Sequence, residues 1–165
     1  PPDAAPAVVP AVVPLVVPSA LPSFAGGGPT AAWGDAATVV PSVLWERFGD
    51  RDVLAAQYPS MRAWVEAVRR DAGASGLWAG RMQLGDWLDP AAPPDKPGKA
   101  KVDADIVAGA YFARSLRQVA DAARLLGHDE DADTYADLAA VARRAFAAEY
   151  VTPAGRMMKP PHSCI

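Results

Sequence analysis

The chain has 165 residues, enough for one modest domain with a real core. Apolar residues make up 51% and charged residues 21%, the balance of a globular chain rather than a disordered or fibrous one. The net charge of −3 supplies no basic field, so nucleic acid and anionic membrane surfaces are not expected partners.

The chain opens with a proline anomaly. Pro6, Pro10, Pro14, Pro18 and Pro22 stand at every fourth position of PAVVPAVVPLVVPSALP. Each removes a backbone donor and pushes the preceding residue toward extended geometry, so neither a helix nor a continuous sheet strand fits. Residues 1–30 read as an extended, low-complexity lead-in that ends in Gly26–Gly28. The prolines also interrupt the apolar run and no basic region precedes it, so no signal peptide is visible and a cytoplasmic location is favoured. No run approaches the roughly 20 apolar residues of a membrane helix.

From Asp35 the apolar period becomes helical. A first helix is predicted over 36–48, with Asp35 as its N-cap and Gly49 as its stop. Pro41 lies too deep for a first-turn proline and should bend the helix or delay its start. Asp50 is placed to cap a second helix over 51–71, where Leu54, Tyr58, Met61, Val65 and Val68 form one stripe. The turn between the two is very short, so they should pack antiparallel. Trp45, Tyr58 and Trp64 sit at helical spacing and read as core.

A long loop follows, GLWAGRMQLGDWLDPAAPPDKPGKAK, residues 76–101. Its RMQLG core alternates weakly and predicts a short strand; Pro90, Pro93, Pro94 and Pro97 block helix elsewhere. Trp78 and Trp87 argue against disorder, because loops that carry large aromatics normally bury them. Asp89, before Pro90, reads as a turn residue. A third helix should begin at Asp103 and end before Gly127, with Phe112, Leu116, Val119, Ala123 and Leu126 inward. A fourth is predicted over 130–150, with Asp129 as its cap and Tyr135, Leu138, Ala142, Ala145 and Phe146 inward. Glu46, Glu66 and Glu149 read as solvated helix faces. His128, His162 and Cys164 are too few and too scattered for a zinc site, and a lone cysteine forms no internal disulfide, so no metal or cofactor is expected. The fold class is all-α: two antiparallel helical hairpins joined by a long tryptophan-containing loop. Such hairpins form either a small bundle or two steps of a larger α/α toroid or solenoid.

The segments AAWGDAATVVPSVLWERFGDRDVLAAQYPSMRAWVEAV, GLWAGRMQLGDWLDP, DADIVAGAYFARSLRQVADAARLLG and YADLAAVARRAFAAEYVTPAGR closely resemble one section of the bacterial α-L-rhamnosidases, glycoside hydrolase family 78. The resemblance covers residues 31–156; residues 157–165, after YVTPAGRM, depart from it and read as a divergent tail, as a truncated or frameshifted product would. It implies part of an (α/α)6 toroid that hydrolyses terminal α-L-rhamnosyl bonds with inversion, acting on a rhamnose-containing glycoside. Inversion needs two carboxyl groups about 6.5–9.5 Å apart. The resemblance places the acid upstream and the base downstream of this section, so no catalytic residue is assigned here.

Read from the residues alone, Trp33 is a buried indole, Asp35 a helix cap, and Asp86 a turn carboxylate beside the anchoring indole of Trp87. The resemblance implies instead that Trp33, Asp35, Asp86 and Trp87 form two walls of one sugar-binding pocket. An indole face suits the C–H surface and methyl group of a deoxy-sugar. The competing readings are a hairpin module that binds a peptide on its concave face, and another α/α-toroid glycosidase.

Overall fold

The computed structural model describes residues 28–86, 89–96 and 99–158. The lead-in through residue 27, Trp87 and the tail from residue 159 lie outside the described residues, as do the readings made on them. Four long helices carry the described chain: α1 (Ala36–Phe48), α2 (Arg51–Ala72), α3 (Ala104–Leu126) and α4 (Asp129–Tyr150). They run alternately up and down, as two hairpins.

The first hairpin follows from its turn. Gly49 ends α1 at φ 67° and donates its N–H to the Trp45 carbonyl. A side chain in that left-handed geometry costs about 1–2 kcal/mol. Asp50 then caps α2 by accepting from the Val53 N–H at 2.9 Å. Leu54, Tyr58, Met61, Val65 and Val68 are all buried, so the apolar stripe is the face that α2 turns to its neighbours. α1 and α2 run unbroken through Pro41 and Pro59. Pro41 therefore does not delay the start of α1, and it is buried among the packing residues of that helix.

α3 and α4 pack closely because their facing positions are small. Ala108, Ala120, Ala123, Ala132, Ala139 and Ala142 are all buried. Phe112, Leu116 and Val119 fill the space toward the first hairpin, and the long loop contributes its own plug. Trp78 is fully buried, edge-on to Trp64 at 6.2 Å and to Phe112 at 6.4 Å between ring centroids. Its indole N–H donates to Asp71 at 2.9 Å, so the polar edge of the ring is satisfied as well.

At the hairpin-turn end a polar cluster joins α2 to α4. Tyr58 donates its hydroxyl to Asp131 at 2.8 Å and stacks on His128 at 4.9 Å. Arg62 pairs with Asp131 at 3.3 Å. Half-exposed pairs of this kind contribute about 0–1 kcal/mol each, so they align the helices more than they stabilise them.

Two local expectations fail. RMQLG forms no strand: among the described residues its backbone pairs with no other segment, and its contact with residues 29–31 runs through the Gln83 side chain. Among the described residues the one strand-like pairing is the bridge between Val151 and Met157. Asp129 does not cap α4: it is the first helical residue, and His128 holds the cap position without a side-chain cap bond. Asp129, Glu130 and Asp131 still load the first turn with negative charge that complements the helix dipole.

Leu116 is 1% exposed at the centre of this packing. Leu116→Ala is expected to destabilise the chain by about 2–5 kcal/mol, read as a shift in the urea midpoint.

Candidate functional site

Alternating helices gather the start of α1, the end of α2, the start of α3 and the end of α4 at one end of the layer. The segment 28–35 and the long loop lie there. Each residue of Trp33-Gly34-Asp35 has a different position. Trp33 is 56% exposed. Gly34 lies against the indole of Trp64, and a Cβ built on it would fall 2.0 Å from the nearest ring carbon. Asp35 is fully buried.

The Asp35 carboxylate is the polar centre of the site. Oδ1 accepts from the indole N–H of Trp64 at 2.8 Å and from the Ser115 hydroxyl at 2.6 Å. Oδ2 accepts from the Ala32 N–H at 2.9 Å. Ser115 is in turn bonded to the Thr38 hydroxyl at 2.8 Å. One carboxylate thus joins the turn before α1 to α2 and α3. This geometry corrects the expected cap. Asp35 occupies the cap position, but its side chain makes no cap bond, because it is turned inward onto Trp64 and Ser115. It also presents no surface to a ligand, contrary to a direct contact with a sugar hydroxyl.

Burial pushes the Asp35 carboxyl above its ordinary value of 3.8, against the pull of the Ser115, Trp64 and Ala32 donors. The neutral form is therefore favoured more in the folded chain than in the unfolded one. The stability contributed by this shift is complete below the ordinary pKa and is lost as pH rises through the raised one.

The turn that delivers Trp33 is held under strain. Ala32 has φ 67°, a region alanine rarely enters, and its N–H is the one bonded to Asp35. On the other side Gln83 reaches across from the long loop. Its side-chain oxygen accepts from the Ala31 N–H at 2.8 Å, and its amide approaches the Pro29 carbonyl at 3.4 Å. The segment around Trp33 and the segment that leads to Asp86 are therefore adjacent. Asp86 is exposed, with no side-chain hydrogen bond among the described residues. Trp87 lies outside them.

The rest of the loop is tied to α3 and to itself. The Gly80 N–H donates to Asp105 at 3.0 Å. Asp89 is the turn residue expected of it: it accepts from the N–H groups of Ala91 and Lys101, each at 2.8 Å, and these bonds hold its carboxyl below the usual range. Among the described residues no group of three or more His, Cys, Asp or Glu side chains is placed to hold a metal ion, and no helix is long and apolar enough to cross a membrane.

Sequence reasoning missed Ser115, Thr38 and Gln83. Ser115 carried a signal, since it is a polar residue on the buried face between Phe112 and Val119. Gln83 carried none, because its partners are 52 and 54 residues away.

Two antiparallel α-helical hairpins whose loops gather at one end define a section of an α/α-hairpin domain. Residues 4–162 match the model of the bacterial alpha-L-rhamnosidase six-hairpin glycosidase domain, and the chain belongs to that family. The α-L-rhamnosidase of Alteromonas sp. (strain LOR) is 35% identical over 73% of this chain. The crystal structure of native α-L-rhamnosidase from Aspergillus terreus superposes with a TM-score of 0.74 at 36% identity over 80% of the chain. That of the Streptomyces avermitilis enzyme complexed with L-rhamnose gives 0.66 at 37% identity over 79%. The chain spans 13%, 15% and 12% of these proteins respectively, so it corresponds to one section of much longer enzymes.

Two measurements check this geometry. Gly34→Ala forces a methyl into the Trp64 ring and is expected to cost about 1–3 kcal/mol by urea unfolding. Asp35→Asn is uncharged throughout, so the stability gap between the parent chain and this variant should narrow as pH rises from 4 toward 8; a gap that widens would contradict the raised Asp35.

Proposed function

We propose that this chain is a section of an α-L-rhamnosidase catalytic toroid, and that its loop end supplies part of the wall that holds a terminal rhamnosyl ring. The observation that supports the reading is the Gln83 bridge, which ties the backbone just before the exposed Trp33 to the loop segment just before Asp86. The match to rhamnosidases over most of the chain supplies the substrate class.

In this reading the Trp33 indole receives the apolar C–H face and methyl group of the sugar. Asp86 accepts from a ring hydroxyl, and the resemblance makes Trp87 a second aromatic of the pocket. Asp35 acts from beneath: it fixes Trp64, on which Gly34 rests, and the Ala32 turn that delivers Trp33. The chemistry is inverting hydrolysis. A protonated carboxyl gives its proton to the leaving oxygen while a second carboxylate activates water on the other face of the ring. Both belong to polypeptide beyond this section. Val40, Val43 and Phe48 stand exposed on α1, as apolar residues would where a further hairpin packs.

The chain by itself is expected to give no turnover of an aryl α-L-rhamnoside; clear hydrolysis with inversion would overturn the division of labour proposed here. In the full-length enzyme that contains this section, Trp33→Ala should lower kcat/KM by roughly 10–100-fold, from about 1.5–3 kcal/mol of lost apolar burial. An unchanged kcat/KM removes Trp33 from the site.

A further inference from the structure

We infer that Gln83 is a positioning residue: its side-chain amide sets the aperture between the Trp33 turn and the Asp86 loop. The inference deepens the sugar-wall reading and rests on it for the ligand, but its geometric part stands alone. Three observations converge on Gln83. Its oxygen takes the Ala31 N–H at 2.8 Å, and its nitrogen faces the Pro29 carbonyl at 3.4 Å, so one amide spans two alternate residues of the facing backbone. A primary amide suits this pair, being acceptor and donor at once. The turn it grips is strained at Ala32, φ 67°, and a strained turn keeps its shape only when its surroundings hold it from both sides. Asp35 holds the Ala32 N–H from beneath, and Gln83 holds the Ala31 N–H from the loop.

Gln83 lies on an irregular segment, with neither helix nor strand to fix its position. Its backbone is anchored nearby: Gly85 lies so close to Ala104 that a Cβ on it would meet the alanine methyl at 3.0 Å, and Gly80 is bonded to Asp105. The loop is thus seated on the start of α3, and Gln83 transfers that seating to the Trp33 turn. Gln83 has no contact with the sugar in this scheme; it acts through Trp33.

The test uses the full 165-residue chain with Gln83→Ala and Gln83→Glu. Glutamate keeps the acceptor for Ala31 and loses the donor for Pro29, so it should recover most of what alanine loses. The first readout is acrylamide quenching of Trp33, obtained by subtracting the signal of each protein's Trp33→Phe partner. Gln83→Ala should change the Trp33 quenching constant by about twofold or more while the far-ultraviolet circular dichroism stays helical; Gln83→Glu should stay near the parent value. The second readout is the L-rhamnose dissociation constant, expected to rise about fivefold in Gln83→Ala, the equivalent of one hydrogen bond. If the parent chain shows no response to L-rhamnose, the sugar reading fails for this chain and the quenching result alone judges Gln83. Identical Trp33 quenching in all three proteins overturns the inference, whatever the sugar result. If Gln83→Ala loses its helical signal, Gln83→Glu against the parent decides: a quenching constant near the parent value supports the inference, and one shifted twofold overturns the acceptor role.

Discussion

The buried carboxylate of Asp35 is the constraint on which the loop end depends. A charged group enclosed by protein is costly unless its lone pairs are met. Here they are met from three directions, by an indole on α2, a hydroxyl on α3 and the backbone before α1. The same three bonds that partly offset the cost of burial also specify where the elements meet. Substituting an apolar residue would leave the Trp64 N–H without its partner and the Ser115 hydroxyl with Thr38 alone, so the cluster is weakened at more than one point.

This explains why Trp33 is free to face outward. A surface indole on a loose turn would collapse onto the nearest apolar surface. The turn is instead fixed from below by Asp35, by the contact of Gly34 with Trp64, and from the side by the long loop. The exposed aromatic is thus presented by a rigid base built from core residues, the arrangement that binding sites on loops require. In the proposed sugar-wall reading that presentation has a use, and the strained geometry of Ala32 marks the place where local comfort yields to the surrounding bonds.

The helices were legible because each carries its own boundary chemistry. Gly49, Asp50, Asp103 and Gly127 stand where capping rules put them, and the stripes of α2 and α3 are periodic over several turns. The site was legible only in part. A WGD triplet before an apolar helix looks like a tryptophan and a cap, and local rules give no reason to turn the aspartate inward. What turns it is Trp64, 29 residues on, and Ser115, 80 residues on. RMQLG failed as a strand for a related reason: alternation predicts a half-buried edge, but the segment has no strand to pair with and lies against the ends of helices instead. Asp129 missed its cap because the helix begins one residue earlier than the apolar period suggests, a difference that periodicity does not resolve.

The bond between Asp89 and Lys101 divides the long loop into two parts with different freedoms. It closes residues 89–101 into a lap whose two ends are held together, while residues 76–86 stay seated on the start of α3. Because the closing bond isolates the lap, additions or deletions near Ala92–Lys96 change only its circumference, and the entropy of closing a ring grows slowly with its length. The part that carries Gln83 is thereby insulated from such drift. Changes of size or charge in the lap therefore fall outside the arc that carries Gln83, whose seating on α3 is made by other bonds.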